Sequence, residues 1–154
     1  MSHNDGHALR QLLAGARAVQ HGDFTHRVNL PESTDRWEVR EMAESLNATL
    51  DMLGRFAGEV RRLTAEMGAE GRLGGQAEVA GAGGTWWTML NAVNDLEDRL
   101  TGQVRNVSRV CSRLREGDAS VEVTCDQCGG EFAELREHVN ALVDQARSAA
   151  GAAT

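Results

Sequence analysis

The chain repeats itself about every 47 residues, and no other feature constrains its fold as strongly. Three segments align with one another: HGDFTHRVNL from His21, EGRLGGQAEV from Glu70 and EGDASVEVTC from Glu116. Three more align downstream, and these are EVREMAESLNATL, TWWTMLNAVNDL and EFAELREHVNAL. A period of this length is typical of arrays in which one supersecondary unit is copied. The sequence therefore predicts three copies of one unit.

Each copy begins with a helical stretch that is predicted to end at a glycine, because glycine readily adopts the left-handed conformation that stops a helix. These glycines are Gly22, Gly71 and Gly117. A connector of about 15 residues follows, long enough at roughly 3.3 Å per residue to run back along a four-turn helix. Its spaced apolar residues are expected to hold it against the helices: Phe24, Val28, Leu73, Val79, Val121 and Val123. A second, parallel helix is predicted to start at Glu38, Thr85 and Glu131.

The second helix of one copy is predicted to continue into the first helix of the next, with apolar residues alternately three and four positions apart. We call these positions the seam: Val39, Met42, Leu46, Leu53, Phe56, Val60, Leu63, Met67, Trp86, Met89, Val93, Leu96, Leu100, Val107, Val110, Leu114, Phe132, Leu135 and Val139. One such stripe is too narrow for two helices of a single chain to form a core. Each repeat is therefore expected to pair with a second copy as a parallel, homodimeric four-helix bundle.

Polar residues interrupt this pattern at particular places. Thr49 and Gln103 occupy seam positions, where we hypothesise that they keep the packing adjustable; the alternative is that their polar ends turn to the bundle edge. Asn47, Asn94 and Asn140 recur one step off the seam. Their amides could bond the backbone of the connector there, which would explain the recurrence.

The pattern of helix, glycine, extended connector and second helix resembles the HAMP domain of sensor kinases and chemoreceptors. GDFTHRV and GDASVEV match the start of that family's connector, and WEVREM and GGEFAEL match the start of its second helix. LGGQAEVAGAGGTWWTMLNAVN resembles the linked HAMP arrays of soluble, cytoplasmic hybrid histidine kinases. The resemblance covers about residues 8–146. It implies an all-α fold of three tandem HAMP units, 8–54, 55–101 and 102–146, that share long helices, with flexible tails at 1–7 and 147–154.

The resemblance also implies a function, because HAMP units relay conformational change along dimeric bundles. We expect a signal-relay module of two-component or chemoreceptor-type transduction, acting on a separate or missing output domain such as a histidine kinase. A purely structural dimerisation spacer is an alternative. The single proline, Pro31, lies in a connector rather than near the start of the first helix, which favours a cytoplasmic array. Thr85 replaces the family's glutamate in the middle copy and is expected to cap the helix with its hydroxyl.

Composition excludes several other classes of function. The net charge is −7 and the arginines are scattered, which argues against nucleic acid or anionic lipid as a partner. The chain begins without a hydrophobic signal and has no run of 18 apolar residues, so no direct membrane insertion is expected. No nucleophile stands near a base in the sequence pattern, so we expect neither an enzyme nor a bound cofactor.

The cysteines raise one further possibility. Cys125 and Cys128 form a C-x-x-C motif, with Cys111 and His138 as candidate companions for zinc or redox chemistry. The motif has no second copy in the chain and lies in a connector that is expected on the outside of the bundle. Three cysteines do not make a secreted disulfide framework, so a reducing cytoplasm is favoured. Redox or zinc sensing is therefore kept as the alternative to a relay, and no metal site is expected.

Overall fold

The computed structural model describes residues 3–125 and 128–152, with side chains from residue 6 onward. Within this part of the chain there are four helices and no strands: α1 (His3–His21), α2 (Trp37–Gly68), α3 (Thr85–Arg115) and α4 (Glu131–Gly151). None of these helices combines the length and the apolar character that crossing a bilayer requires. Helical residues extend into both segments that the sequence predicts as tails, whose ends at residues 1–2 and 153–154 lie outside the described residues.

Helices α3 and α4 begin at the predicted residues, whereas the start of α2 and the cap of α3 need correction. Helix α2 begins at Trp37, one residue before Glu38. Helix α3 begins at Thr85 itself, so the residue at the capping position is Gly84, which has a φ of +56°. The expectation of a hydroxyl cap was wrong on this point, because the Thr85 side chain lies inside the first turn. The Gly84 carbonyl accepts a bond from the Thr88 N–H at 3.2 Å.

A glycine in the left-handed region follows each of the first three helices, directly after α1 but three residues beyond the end of α2 and two beyond the end of α3, so only the first helix ends where predicted. Gly22, Gly71 and Gly117 have φ values of +74°, +64° and +86°. After α1, the Asp23 N–H donates to the Ala18 carbonyl at 2.9 Å, as in a Schellman motif. The third connector starts with the same hydrogen-bond pattern, whereas the corresponding bond in the middle copy spans one residue more.

The first connector runs back along α2. Near its start Arg27 forms an ion pair with Asp51, and near its end the Thr34 carbonyl accepts a bond from Arg40 Nε at 2.7 Å. The order of contacts is therefore reversed between connector and helix. Helix α1 packs on the N-terminal half of α2, beside this connector. Because the connector runs opposite to both helices, the two helices lie parallel.

The third connector has the same direction relative to its own helices. Its Ala119 carbonyl accepts a bond from Arg147 Nη2 at 2.9 Å, late in α4. Its Thr124 carbonyl accepts a bond from Asn106 Nδ2 at 2.6 Å, well before the end of α3. The connector therefore runs back along both helices, which makes α3 and α4 parallel in this region.

The chain divides into two compact units, one ending at Asn94 and the other beginning at Asp95, so the boundary falls within α3. The first unit contains two buried clusters, and the second contains one. Their buried members are Ala8, Leu12, Val28, Val39 and Ala43; then Leu63, Ala77, Val79 and Leu90; then Val110, Val123, Val139 and Val143. Each cluster combines residues of one connector with residues of the helices beside it. In the middle cluster the Phe56 and Trp86 rings are 5.8 Å apart.

Close packing of α1 against the first connector requires a residue without a side chain. A Cβ atom added to Gly15 would lie 2.4 Å from Val28 Cγ2 and 2.7 Å from Leu46 Cδ2. Valine is stiff about χ1, so its methyl group cannot swing aside. Gly15 therefore lets the helix approach the connector and α2 together.

We predict that Gly15→Ala lowers the free energy of unfolding by roughly 1–2 kcal/mol, because overpacking outweighs the better helix propensity of alanine. The matched control is Gly102→Ala in α3, where an added Cβ meets no atom within 4 Å. That variant should gain roughly 0.5–1 kcal/mol. Urea unfolding at one fixed protein concentration measures both, and a stabilised Gly15→Ala variant would show that this contact is not tight.

Candidate functional site

The first connector is held to α2 by a two-bond contact from one asparagine. Asn47 Oδ1 accepts the Val28 N–H at 2.9 Å, and Asn47 Nδ2 donates to the Val28 carbonyl at 3.0 Å. A single side-chain amide thus satisfies both polar groups of a residue whose side chain is 3% exposed. Such groups would otherwise be costly to bury, since no strand lies beside this segment to bond them.

The same contact occurs in the other two copies. Asn94 bonds the N–H and carbonyl of Ala77 at 2.7 and 3.1 Å, and Asn140 bonds those of Val123 at 2.8 and 3.2 Å. We call these three contacts the asparagine clamps. Each amide bonds connector backbone, as the recurrence of the asparagines suggested. The clamps define a common register for the three copies.

That register identifies a position that sequence reasoning missed. Three residues after each clamp asparagine stand Leu50, Glu97 and Val143, which are 0%, 1% and 0% exposed. The middle copy therefore buries a carboxylate where the other two bury an apolar side chain. Glu97 Oε1 accepts a hydrogen bond from the Thr101 hydroxyl at 2.7 Å. Counting from the asparagines would have found this position, whereas hydropathy alone could not.

Arginine side chains add further bonds to the connectors. In the middle copy Arg62 Nη2 donates to the Gln76 carbonyl at 2.7 Å. The same guanidinium pairs with Glu59 and Glu66 at 2.8 and 3.0 Å. The hydrogen bond from Arg62, followed by one from the Glu78 N–H, lowers the pKa of the Glu59 carboxyl. The middle connector is thus bonded to α2 through its backbone groups, in addition to its apolar contacts.

Acidic residues organise the start of two connectors. The Thr25 hydroxyl donates to Asp23 Oδ1 at 2.7 Å, and the Ser120 hydroxyl donates to Asp118 Oδ1 at 2.5 Å. These bonds, together with those from the backbone N–H groups of the same two residues, lower the pKa of both aspartates. Each carboxylate therefore stabilises the turn that leads out of the helix.

The first unit exposes a set of large apolar side chains that the clamps leave uncovered. They are Leu9, Leu13, Trp37, Met42, Trp87 and Met89, with Met42 56% exposed. Several border an open groove of about 750 Å³ between α1 and the first half of α2. The groove also includes Leu12, Ala16 and Leu46 on its walls.

The second unit exposes a corresponding set: Leu96, Val104, Phe132, Leu135 and Leu142. Leu96 is 59% exposed, and Leu135 is 43% exposed. Val104, Phe132 and Leu135 border an apolar cavity of about 290 Å³ between α3, α4 and the third connector. Exposed apolar side chains that border one shared groove or cavity are typical of interaction sites, whereas single scattered ones are ordinary.

The predicted seam residues divide into three groups. The chain's own packing buries Val39, Leu63, Val110 and Val139, whereas Met42, Met89, Leu96, Phe132 and Leu135 are exposed. The other seam residues are partly buried: Leu46, Leu53, Phe56, Val60, Met67, Trp86, Val93, Leu100, Val107 and Leu114. Among the connector residues, Val28, Val79 and Val123 are buried, and Phe24, Leu73 and Val121 are partly buried. Leu50, Leu90 and Val143 are buried positions that the prediction omitted.

The two polar seam residues have different surroundings. Thr49 is exposed, and its hydroxyl donates to the Ser45 carbonyl of the preceding turn at 2.8 Å. Gln103 is partly buried, and its Nε2 lies 3.5 Å from Cys128 Sγ and 4.0 Å from Cys125 Sγ. Thr49 thus bonds its own helix, whereas Gln103 contacts the connector.

The cysteines of the C-x-x-C motif are joined to each other. Cys125 and Cys128 form a disulfide with a Cα–Cα distance of 5.7 Å, and Cys111 is free and exposed on α3. Both bonded cysteines border the apolar cavity of the second unit and are partly buried, although this connector was expected on the outside. In the described part of the chain, no three histidine, cysteine or acidic side chains are grouped to hold a metal ion.

Comparison with known families gives two matches in tandem. A family profile described as "HAMP domain" matches residues 7–55, and a second profile with the same description matches residues 82–148. The matches leave residues 56–81 between them. No solved structure matches the chain.

We predict that Asn47→Ala lowers the free energy of unfolding by about 1–3 kcal/mol, because it leaves the Val28 N–H and carbonyl without their partner in a partly buried place. Asn47→Asp keeps the acceptor but turns a carboxylate oxygen toward the Val28 carbonyl, so at neutral pH it should not restore the stability of the clamp. The control is Asn29→Ala at an exposed position of the same connector. Urea unfolding measures all three, and equal effects of Asn47→Ala and Asn29→Ala would contradict a role for the clamp.

We also predict that the chain loses stability as the pH falls below about 4, because the folded state lowers the pKa of Asp23 and Asp118 and so binds fewer protons than the unfolded state. The contribution is present above the unfolded pKa and is lost as the pH falls through the folded one. The Asp23→Asn/Asp118→Asn variant should show a shallower acid dependence in thermal melts from pH 7 to pH 2. A control variant, Asp35→Asn/Asp95→Asn, changes the net charge equally; matching curves for the two would refute the prediction.

Proposed function

We propose that this chain, which belongs to the HAMP domain family as a tandem array, relays a conformational signal through parallel dimeric helical bundles. HAMP domains are signal-relay modules of sensor and chemoreceptor proteins. In our proposal the array has three units, and a second copy of the chain completes each of them. The output is a histidine kinase or another effector domain, on the same protein or a separate one.

One observation carries the dimer: the apolar side chains that remain exposed after the connectors are in place. In the first unit, Leu13, Trp37 and Met42 are each at least half exposed and follow α1 and the start of α2. Two parallel helices with an open groove between their outward faces are half of a four-helix bundle. A second copy would cover the groove with the same side chains, and this burial is the dominant favourable term in association.

The third unit of the proposal rests on the clamps. Residues 56–81 fall outside both family matches, yet this region holds most of the middle connector and three of the four buried members of the middle cluster. The Asn94 clamp on Ala77 has the same two bonds as those of Asn47 and Asn140. The recurrence of contact and register supports a middle unit built like its neighbours.

A relay also needs two packings of similar free energy, because a signal can only shift an equilibrium that exists. Three polar residues favour such a balance. Thr49 and Gln103 interrupt the apolar seam, and Glu97 replaces an apolar residue at a buried position of the middle copy. Polar groups in a packed seam lower its stability, and a less stable packing lies closer in free energy to an alternative one. A purely structural spacer would instead have a single rigid packing.

The remaining parts of the proposal come from the sequence. We infer that the protein is not an enzyme and works in the cytoplasm, and that it binds neither nucleic acid nor a membrane directly. The scattered arginines and the net charge of −7 support the last inference. The Cys125–Cys128 disulfide makes redox sensing a second candidate function, which would act on the same bundle.

Cross-linking at one position tests the parallel dimer. In a background with all three cysteines replaced by serine, Met42→Cys should form a disulfide between copies, since parallel chains bring identical seam positions together. Ala48→Cys, on another face of the same helix, is the control and should not cross-link. If Met42→Cys fails to cross-link in a protein that sedimentation shows to be a dimer, the parallel arrangement is refuted.

We predict that Met42→Glu converts the dimer to a monomer at micromolar concentration, with the dissociation constant rising at least tenfold, because two carboxylates would face each other in an apolar seam. The side chain is 56% exposed in a single chain, so the fold of each copy should survive. Sedimentation equilibrium against the chain mass of 16.6 kDa gives the measurement.

Ala48→Glu is the matched control for Met42→Glu, because it adds the same charge at another exposed position of α2. It should remain dimeric. For the relay itself, relaxation dispersion on the methionine methyl groups should detect exchange between two states in the dimer. A dimer without such exchange at any methionine would favour the spacer.

A further inference from the structure

We propose that Cys125 and Cys128 form a reversible thiol–disulfide site, with a dithiol as its reductant, whose redox state sets the packing of Gln103 and of the apolar cavity beside it. Neither the family matches nor the relay function assigns a role to these residues. The link from the cysteines to the bundle rests on the proposed function, whereas the exchange chemistry does not depend on it.

Next to the disulfide, only one end of the Gln103 side-chain amide has a hydrogen-bond partner. Its Nε2 donates to Cys128 Sγ at 3.5 Å and approaches Cys125 Sγ at 4.0 Å. Its Oε1 is buried and has no hydrogen-bond partner among the described residues. A disulfide sulfur can only accept a hydrogen bond, so the oxidised pair offers this oxygen nothing. A thiol has an S–H donor and would satisfy it.

Reduction therefore changes the hydrogen bonds of a seam residue. The free energy of leaving a buried acceptor unbonded is regained only in the dithiol state. Gln103 is thus expected to favour reduction of the pair. The connector must also accommodate two separate sulfur atoms in place of one bond. Both effects act where Gln103, Cys125 and Cys128 meet in the second unit.

The cavity transmits the change to the exposed apolar face. Cys125, Cys128 and Gln103 border the same space of about 290 Å³ as Phe132 and Leu135. Phe132 stands in the first turn of α4, four residues after Cys128. In the proposed dimer these two side chains would meet the second copy, so a shift in the connector would alter that contact. The thiol–disulfide state would then bias one packing of the bundle.

Reduction of the pair proceeds in two thiol–disulfide exchange steps. A thiolate of the dithiol attacks Cys125 Sγ, forming a mixed disulfide and breaking the bond to Cys128. The electron pair goes to Cys128 Sγ, where the Gln103 Nε2–H stabilises the charge until the sulfur takes up a proton. The second thiol of the reductant then attacks the mixed disulfide. Cys125 leaves as a thiolate and is protonated, and the reductant departs as its own disulfide.

The exposure of the two cysteines and the proposed cytoplasmic location of the protein both favour reversible thiol–disulfide exchange. Both cysteines are partly exposed, so a reductant can reach them. Disulfides of cytoplasmic proteins are usually transient, catalytic or sensing rather than structural. The four helices and three buried clusters involve neither cysteine, so the described fold does not depend on the bond.

The test uses the full chain with Cys111→Ser, so that every titrating thiol belongs to the pair. The protein is equilibrated with mixtures of reduced and oxidised dithiothreitol, starting from either form, and its thiols are alkylated and counted by mass. We expect zero or two alkylated cysteines and the same midpoint from both directions. A pair that never oxidises, or that cannot be reduced again, would overturn the proposal.

Gln103→Leu tests the role of the amide. It should raise the ratio of reduced to oxidised dithiothreitol at the midpoint roughly two- to tenfold, since the dithiol loses one hydrogen bond. Gln145→Leu, at an exposed position of α4, is the matched control and should leave the midpoint unchanged. An unchanged midpoint in Gln103→Leu would refute the part assigned to this residue.

Hydrogen exchange of residues 131–139 in the oxidised and reduced protein tests the effect on α4, and sedimentation of both forms separates the two proposals. Different protection in the two forms supports the coupling, and identical protection overturns it. A chain that is monomeric in both forms but titrates reversibly would refute the dimeric relay and leave the redox site standing. A dimer that titrates reversibly but shows unchanged exchange would leave the relay and the redox site standing and refute the coupling between them.

Discussion

An extended segment that lies against a helix has no neighbouring strand to bond its peptide groups, and this constraint underlies the whole chain. Water can satisfy such groups only if the segment stays exposed, but here one side of each connector is buried. The asparagine clamps resolve the conflict. Each places a primary amide, which has one acceptor and one donor, opposite a peptide unit that needs both. The apolar contacts of the connector can then form without leaving the peptide N–H and carbonyl of the clamped residue unbonded.

The clamps also determine which helix face stays free. Because a connector covers one side of its helices, those helices carry two apolar stripes rather than one. Ala43 and Val143 belong to the stripe that the connector covers, and Met42 and Leu135 belong to the other. A single copy can bury only the first stripe. The covered stripe stabilises the unit, and the uncovered one is the surface that a second copy would cover in the proposed dimer.

Much of this arrangement could be predicted from the sequence, for identifiable reasons. The regular spacing of apolar residues along α2 and α3 predicts helices. Asparagines at equivalent positions of all three copies predict one common hydrogen-bond partner, and the connector backbone is a partner that every copy has. The covered stripe was missed because a count of seven-residue repeats follows one face at a time, so Leu90 was passed over. The burial of Glu97 could not be foreseen from hydropathy, which argues against burying a carboxyl group, and only its register with the clamp asparagines points to it. The cysteines were expected at the surface because the spacing of a connector does not indicate which of its sides faces the helices.

The asparagine clamps recognise peptide atoms and not side chains. The residues they hold are valine, alanine and valine, so the contact tolerates change at the position it grips. The side chain at the gripped position can therefore change without loss of the two bonds, provided that it still fits its buried cluster. A copied segment that contained both a connector and the asparagine of the following helix would carry its own means of attachment.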